Sequence, residues 1–310
     1  MNEQQVLAGP AAPWTKSELE TPVLLVIFNR PGTTKAVFES VRAVRPTRLY
    51  VAADGPRADV EGEAQRCDKA RRIASAVDWG CKLETRFQDK NVGLDVHVSS
   101  AIDWFFELEE EGILLEDDCV PDPSFYRFCA ELLGYYRETP EVMHVSGDNF
   151  QFGRRRGRGS YYFSKYPFIW GWATWRRAWK SYDITAASPD VQGSTWDAQW
   201  LHALERNRGV AIAPNLNLVT NIGFGEGATH TKTMERYSRL PARAMDFPLR
   251  HPSGIRIDRA ADTLSYYVIF RNIRHIRFMW AHQLWDFVYR TLKNVKKELL
   301  ARRSGSRISS

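Results

Sequence analysis

The sequence predicts an α/β protein built on a mostly parallel sheet flanked by helices, and three observations carry that prediction. Strand and helix signals alternate four times between residues 23 and 138. The strands are short continuous apolar runs, as expected where helices cover both faces of a sheet. Three of these runs end in polar side chains, at the edge where parallel sheets present their ligands.

The elements follow in order. "VLLVIF" (23–28) is an uninterrupted apolar run and reads as the first strand, ending at Asn29 and Arg30. "TTKAVFESVRAV" is the helix after it, with Thr33 or Thr34 near its start. "RLYVAAD" (48–54) is the second strand and ends in Asp54; residues 61–77 form the second helix. "KLETRFQ" and "DVHVSSAIDWFFELEE" repeat the pair, and so do "GILLED" and "SFYRFCAELLGYYRE". Alternation at this spacing implies βαβ units. The second half is less regular. "YPFIWGWATWRRAW" and "STWDAQWLHALERNRG" surround a short helix, "VAIAP" follows, and "NIGFGEGATHT" reads as a mobile glycine-rich loop. "GRRRGRGS" (153–160) is a basic surface loop.

Bulk properties narrow the function. The 310 residues are 44% hydrophobic and 26% charged, the balance of a globular protein with a substantial core. From residue 251 onward there are 12 Lys and Arg against 4 Asp and Glu, which accounts for the whole net charge of +6. A basic tail on a near-neutral body argues against a nucleic-acid groove. Cys67, Cys81, Cys119 and Cys129 show neither a Cys-x-x-Cys pair nor zinc spacing and read as reduced, packed thiols. No secretory signal or membrane-length apolar run is evident, so a cytoplasmic location is expected, peripheral on the inner face of a membrane if the tail docks there. Neither a P-loop nor a dinucleotide fingerprint occurs.

The fourth strand, Ile113-Leu114-Leu115, ends in Glu116, Asp117 and Asp118. Three adjacent carboxylates repel one another and require a cation. Hard oxygen donors suit Mg2+ or Mn2+, which can bridge to a diphosphate. A solvated acidic turn is the alternative for such a triplet. Asp54 can accept from the N–H of uracil or start an ordinary Asp-Gly-Pro turn. Arg30 offers a fork suited to phosphate or a surface ion pair. His97 can face a nucleotide or sit satisfied on its helix. Asp197, between Trp196 and Trp200, can be a general base or the cap of its helix.

Taken together, "LLVIFNRP", "VAADGP", "NVGLDVHVSSAIDWFF", "ILLEDDCVPDPSFYRF", "GWATW", "TWDAQW" and "NIGFGEGATHT" resemble, in order, segments of the N-acetylglucosaminyltransferase I-like glycosyltransferases. They also resemble bacterial proteins loosely named hemolysin-activation or sugar-transferase-like. The resemblance implies a GT-A (Rossmann-like) nucleotide-diphospho-sugar transferase domain over residues 20–255, with a basic amphipathic helical extension over 256–310. It assigns Asp118 to the metal, Asp117 to the ribose and Glu116 to the donor sugar. Arg30 falls to the diphosphate, Asp54 to the uracil, His97 to the nucleotide side, and Asp197 to the catalytic base. His230, with Lys232 nearby, falls on a loop closing over the phosphates.

The implied reaction is inverting, metal-dependent transfer from a nucleotide sugar, a UDP-sugar by the Asp54 assignment, to a glycan or lipid-linked acceptor. Acceptor-side residues match poorly; Asp148, Asn149, Trp170 and Trp172 stand as candidates. A phosphotransferase or nuclease using the same acids, and a non-catalytic carbohydrate- or lipid-surface module, are the rival readings. In the tail, Ile269, Ile273, Ile276, Trp280, Leu284 and Phe287 share a helical side, away from Arg271, Arg274 and Arg277. That pattern fits an anionic membrane surface, or packing on the protein or on a second copy of the chain.

Overall fold

The structure, a computed structural model, describes residues 18–185, 195–224 and 240–270. The alternation read from the first half is present. In chain order, β1 (Val23–Ile27), α1 (Pro31–Val44), β2 (Arg48–Ala53), α2 (Glu63–Ala74), β3 (Lys82–Phe87), α3 (Leu94–Leu108) and β4 (Glu111–Glu116) lead to β5 (Cys119–Pro121) and α4 (Pro123–Tyr135). The second half adds β6 (Val142–Ser146), β7 (Tyr161–Ser164), β8 (Trp172–Trp175), α5 (Arg176–Trp179), α6 (Trp196–Arg206), β9 (Val210–Pro214), β10 (Val219–Asn221) and α7 (Arg259–Ser265).

Eight strands form one sheet in the order β3-β2-β1-β4-β8-β6-β9-β7, and β10 pairs with β5 in a small ribbon. The pairs β2–β3, β1–β2, β1–β4 and β6–β9 are parallel; β4–β8, β6–β8 and β7–β9 are antiparallel. The sheet is therefore a mixed α/β one with a parallel half. The antiparallel strands come from the segment where the sequence lost its regular alternation.

The continuous apolar runs are explained by two covered faces. Val23, Leu25 and Ile27 of β1 join one core with Val37, Val41 and Phe38 of α1 and Leu132 of α4. Leu24 and Val26 face the other core, with Val98, Ile102 and Phe105 of α3 and Trp200 of α6. Successive side chains of a strand point to opposite faces, so a strand buried on both sides needs apolar residues at every position. The "VPDP" turn proves to be a helix start: Asp122 accepts from the Ser124 amide at 2.9 Å, and Pro123 occupies the first helical position.

All four cysteines are free thiols, three of them buried. The chain divides into two compact units between Asp262 and Thr263. Residues 256–262, assigned from sequence to the extension, belong with the first unit: Ser164 Oγ donates to Asp262 Oδ1 at 2.6 Å, and Ile257 bridges to Phe163. The tail stripe beyond Ile269, and with it the membrane reading, lies outside the described residues. Among those residues no helix is long and apolar enough to cross a membrane.

Candidate functional site

Three strands of the parallel half deliver polar groups to one edge. β1 brings Asn29 and Arg30, β2 brings Asp54, and β4 brings Glu116, Asp117 and Asp118. The cation demanded by the triplet is Arg30. Its Nη2 lies 2.5 Å from Asp117 Oδ1 and its Nη1 2.9 Å from Asp118 Oδ2. Asp117 is also held by the Phe28 amide at 3.1 Å. It is buried, and its carboxylates are bound to the adjacent strand, so the solvated acidic turn is excluded for it.

One guanidinium does not neutralise three acids. Burial, then Asp118 and Asp117, push Glu116 up to about 8 against the opposing pull of Arg30. Burial likewise raises Asp117 to about 6, with Arg30 opposing. The site is short of positive charge. A folded-state pKa near 8 against an unfolded value of 4.5 means that the native state binds the extra proton in this window.

Stability of the metal-free protein should therefore be highest below about pH 4.5 as far as Glu116 is concerned, and fall as pH rises towards 8. The limiting slope is about 1.4 kcal/mol per pH unit for one group. Melting temperatures in chelator from pH 5.5 to 8 test this expectation. Glu116→Gln should flatten the decline, and parallel curves for the two proteins would contradict the assignment.

Asp197 lies within electrostatic reach of Glu116. It occupies the first turn of α6 and is near enough to contribute to the raised pKa of Glu116. It does not cap that helix. Asp95 of α3 does so, accepting from the Trp196 amide at 2.7 Å. The Asp197 carboxylate accepts no hydrogen bond among the described residues and is partly exposed. The rings beside it in sequence, Trp196 and Trp200, turn into the core.

Trp172 requires a correction. It was a candidate for contact with an acceptor, but only 2% of it is exposed. Its indole stacks on His144 at 4.9 Å and on Trp196 at 6.1 Å. Trp200 Nε1 donates to His144 Nδ1 at 3.1 Å, so His144 Nε2 donates to the Phe168 carbonyl at 2.8 Å. Burial lowers the His144 pKa to about 3, keeping the ring neutral. This aromatic layer holds α6, and hence Asp197, against the sheet.

Asn149 is also structural, with its amide nitrogen on the Pro214 carbonyl and its oxygen accepting from the Gln151 amide. Asp148 is buried, with one oxygen unpartnered among the described residues, and burial holds its pKa well above the usual range. Trp170, partly buried, packs edge-on against Phe224 at 5.5 Å.

On the β2 side, Asp54 accepts from the Gly55 and Val92 amides at 2.8 and 3.0 Å and from Asn91 Nδ2 at 2.9 Å. The turn-forming role is thus real, and it ties the β2 loop to the start of α3. His97 lies behind it, buried, with Nε2 lacking a hydrogen bond among the described residues. Burial lowers its pKa, with Asp54 opposing. His230 and Lys232 lie outside the described residues.

Two features escaped the sequence. Glu63 is fully buried and takes Asn29 Nδ2 at 2.7 Å and the Arg57 amide at 2.7 Å, locking the ends of β1 and β2 together. Its pKa falls to about 2 beside Arg57. Gly223 is the other. A Cβ there would stand 2.0 Å from Asp118 Oδ2 and 2.9 Å from Arg30 Nη1. The glycine-rich segment therefore begins directly against the acidic cluster. Its three glycines within five positions were a visible signal, but of flexibility rather than of close approach.

A cavity of about 860 Å3 lies elsewhere. It sits at the opposite edge of the sheet, lined by Thr21, Pro22 and Glu109 to Glu111. Three of its acids are already paired: Glu109 with Arg48 at 3.2 Å, Glu110 with Arg176 at 2.6 Å and Glu111 with Arg137 at 2.6 Å.

No protein-family model matches this chain, and no curated protein matches it in sequence. Among solved structures it is similar to a UDP-glucose pyrophosphorylase complexed with UDP-glucose, at 10% identity and a TM-score of 0.38, covering 63% of this chain and 90% of that one. It is also similar to A197 from STIV, at 9% identity and a TM-score of 0.35, covering 74% and 98%. A third is the apo structure of the bifunctional glycosyltransferase WbbM, at 12% and 0.25, covering 46% of this chain and 25% of that one. Chains this different carry over no activity, so function rests on the residues themselves.

Proposed function

We propose that this protein is an inverting glycosyltransferase that uses a nucleotide diphosphate sugar, a UDP-sugar by the position of Asp54. The observation that carries the reading is the Arg30–Asp117–Asp118 cluster at the carboxyl edge of parallel strands, with the Asp197 carboxylate, which accepts no hydrogen bond among the described residues, close enough to act on Glu116. A charge-deficient acidic cluster favours a ligand that brings a cation. An adjacent free carboxylate favours proton removal.

The residues fit Mg2+ or Mn2+ held in the way such ions usually share a site with phosphates. Asp118 would supply one protein carboxylate to such an ion, with the remaining ligands coming from the donor and water. Among the described residues no three His, Cys, Asp or Glu side chains converge into an all-protein metal site, so the donor would be part of the coordination. When bound, the ion neutralises charge on the diphosphate. Arg30, whose fork suits phosphate oxygens, stands beside that charge. The unpartnered His97 Nε2 is a polar atom left for the nucleotide side. Asp197 removes the proton from an acceptor hydroxyl as its oxygen bonds to the anomeric carbon and the bond to the diphosphate breaks. A single displacement inverts that carbon.

Asp118→Asn tests the donor half. It should keep its fold but lose the Mn2+-dependent part of its affinity for UDP-sugars, measured by titration of a UDP-sugar panel with and without the metal. Wild type and variant binding equally well under both conditions would refute this reading of Asp118.

A further inference from the structure

A second site-sized feature lies on the same edge of the sheet. β6 and β9 run parallel to each other and antiparallel to β8 and β7 respectively, so the start of β7 stands at the carboxyl edge that holds the acidic cluster. β7 is four strands from β4, roughly 19 Å at the usual strand spacing. The segment 250–258 runs beside this edge strand and is fastened to it near both ends. Ser160 donates to the Arg250 carbonyl at 2.7 Å, and Asp258 donates to the Phe163 carbonyl at 2.8 Å. Between these clasps Pro252, Ser253 and Gly254 help line a cavity of about 780 Å3.

The lining is cationic. Arg156 and Arg158 come from the "GRRRGRGS" loop, and Arg250 and Arg256 from the clasping segment. The side chains of Arg158, Arg250 and Arg256 are exposed and make no ion pair or hydrogen bond among the described residues. The one lining acid, Asp258, is engaged in accepting from the Ala261 amide at 2.9 Å. The Tyr162 hydroxyl, on the same wall, is buried and has no hydrogen-bond partner among those residues. Four arginines line one concave space, Arg156 held by Gln151 at 2.8 Å and the other three side chains without a partner among the described residues, and this describes a receptor for an anion. Their planar forks match carboxylate and phosphate oxygens.

The rings decide the kind of anion. Single-stranded nucleic acid is held on exposed aromatic platforms. Here Tyr161, Tyr162 and Phe163 are all buried, at 1, 5 and 1% exposure. A lipid surface requires a convex or flat apolar face, and this one is concave and ringed by arginines. We infer that the groove binds an anionic saccharide, a sugar chain bearing carboxylates or phosphates, as the remote part of the acceptor. The acceptor role rests on the glycosyltransferase reading; the binding itself does not.

The test uses the full chain and four probes of matched length: hexagalacturonate, a phosphorylated mannan fragment, neutral cellohexaose, and a uridine hexanucleotide. Calorimetry should show binding of one or both anionic saccharides, weakening with salt, and none of cellohexaose. R158A/R250A/R256A, whose replaced side chains bond to nothing described, should keep its melting temperature and lose that affinity at least tenfold. The uronate and mannan arms distinguish carboxylate from phosphate as the bound group. Failure of the wild type to bind either anionic saccharide, equal affinity in the triple variant, or tighter binding of the uridine oligomer would each overturn the inference. UDP-sugar titration of the same triple variant, expected to match wild type, separates the two readings. If neither protein binds any UDP-sugar, the proposed function falls while the saccharide arms still judge the groove.

Discussion

Asp197→Asn is expected to slow sugar transfer by about a hundredfold or more while leaving UDP-sugar affinity within about twofold of wild type, because only proton removal is lost. The substitution is nearly isosteric, and α6 keeps its start because Asp95, not Asp197, caps it. What Asp197 gives the helix is a negative charge in the first turn, about 0.3–1 kcal/mol at most. A loss of activity far larger than the loss of stability therefore marks chemistry. Product analysis by proton NMR should show the anomer opposite to that of the donor. Transfer at the wild-type rate, or retained configuration, would exclude Asp197 as the base of a single displacement.

Gly223→Ala should abolish most metal-supported donor binding although it adds one methyl group. That methyl must displace the Asp118 carboxylate: its ideal position is 2.0 Å from Asp118 Oδ2 and 2.7 Å from the carboxyl carbon. Asp118 must leave its rotamer, at a cost of about 0.5–1.5 kcal/mol. It also loses the Arg30 hydrogen bond, about 1.5–3 kcal/mol for a charged pair. Together these imply a tenfold or greater loss of UDP-sugar affinity in Mn2+. Gly134→Ala is the control, since a Cβ in that α4 position meets nothing within 4 Å. An unchanged titration of Gly223→Ala would mean that the Arg30–Asp118 geometry does not matter to the donor.

The parallel half of the fold was legible because its strands are covered on both faces. That condition writes itself locally, as unbroken runs such as Val23 to Ile27 and helix-period stripes such as Val37, Val41 and Val44. The acidic triplet was legible for a related reason. Glu116 follows directly on a buried strand, and like charges at a buried edge require a partner whether or not its identity is visible. β6, β7 and β8 were not resolved from the sequence, being short and partly aromatic, and nothing local says that Trp172 pairs beside Leu114.

Read along the chain alone, the residues specify an α/β protein with a carboxylate triplet at a strand end that calls for positive charge. Tertiary structure decided what stands against what. It set Arg30 on Asp117 and Asp118, Asp197 within electrostatic reach of Glu116, Gly223 against Asp118, and Trp172 in the core rather than in a cleft. It also closed Arg156 and Arg158 with Arg250 and Arg256 around one cavity. The physical reason is range. Burial periodicity and local charge repulsion act over a few residues and can be read along the chain. The partners in these pairs lie tens of residues apart and meet only through strand order and register, which the packing of the whole sheet selects.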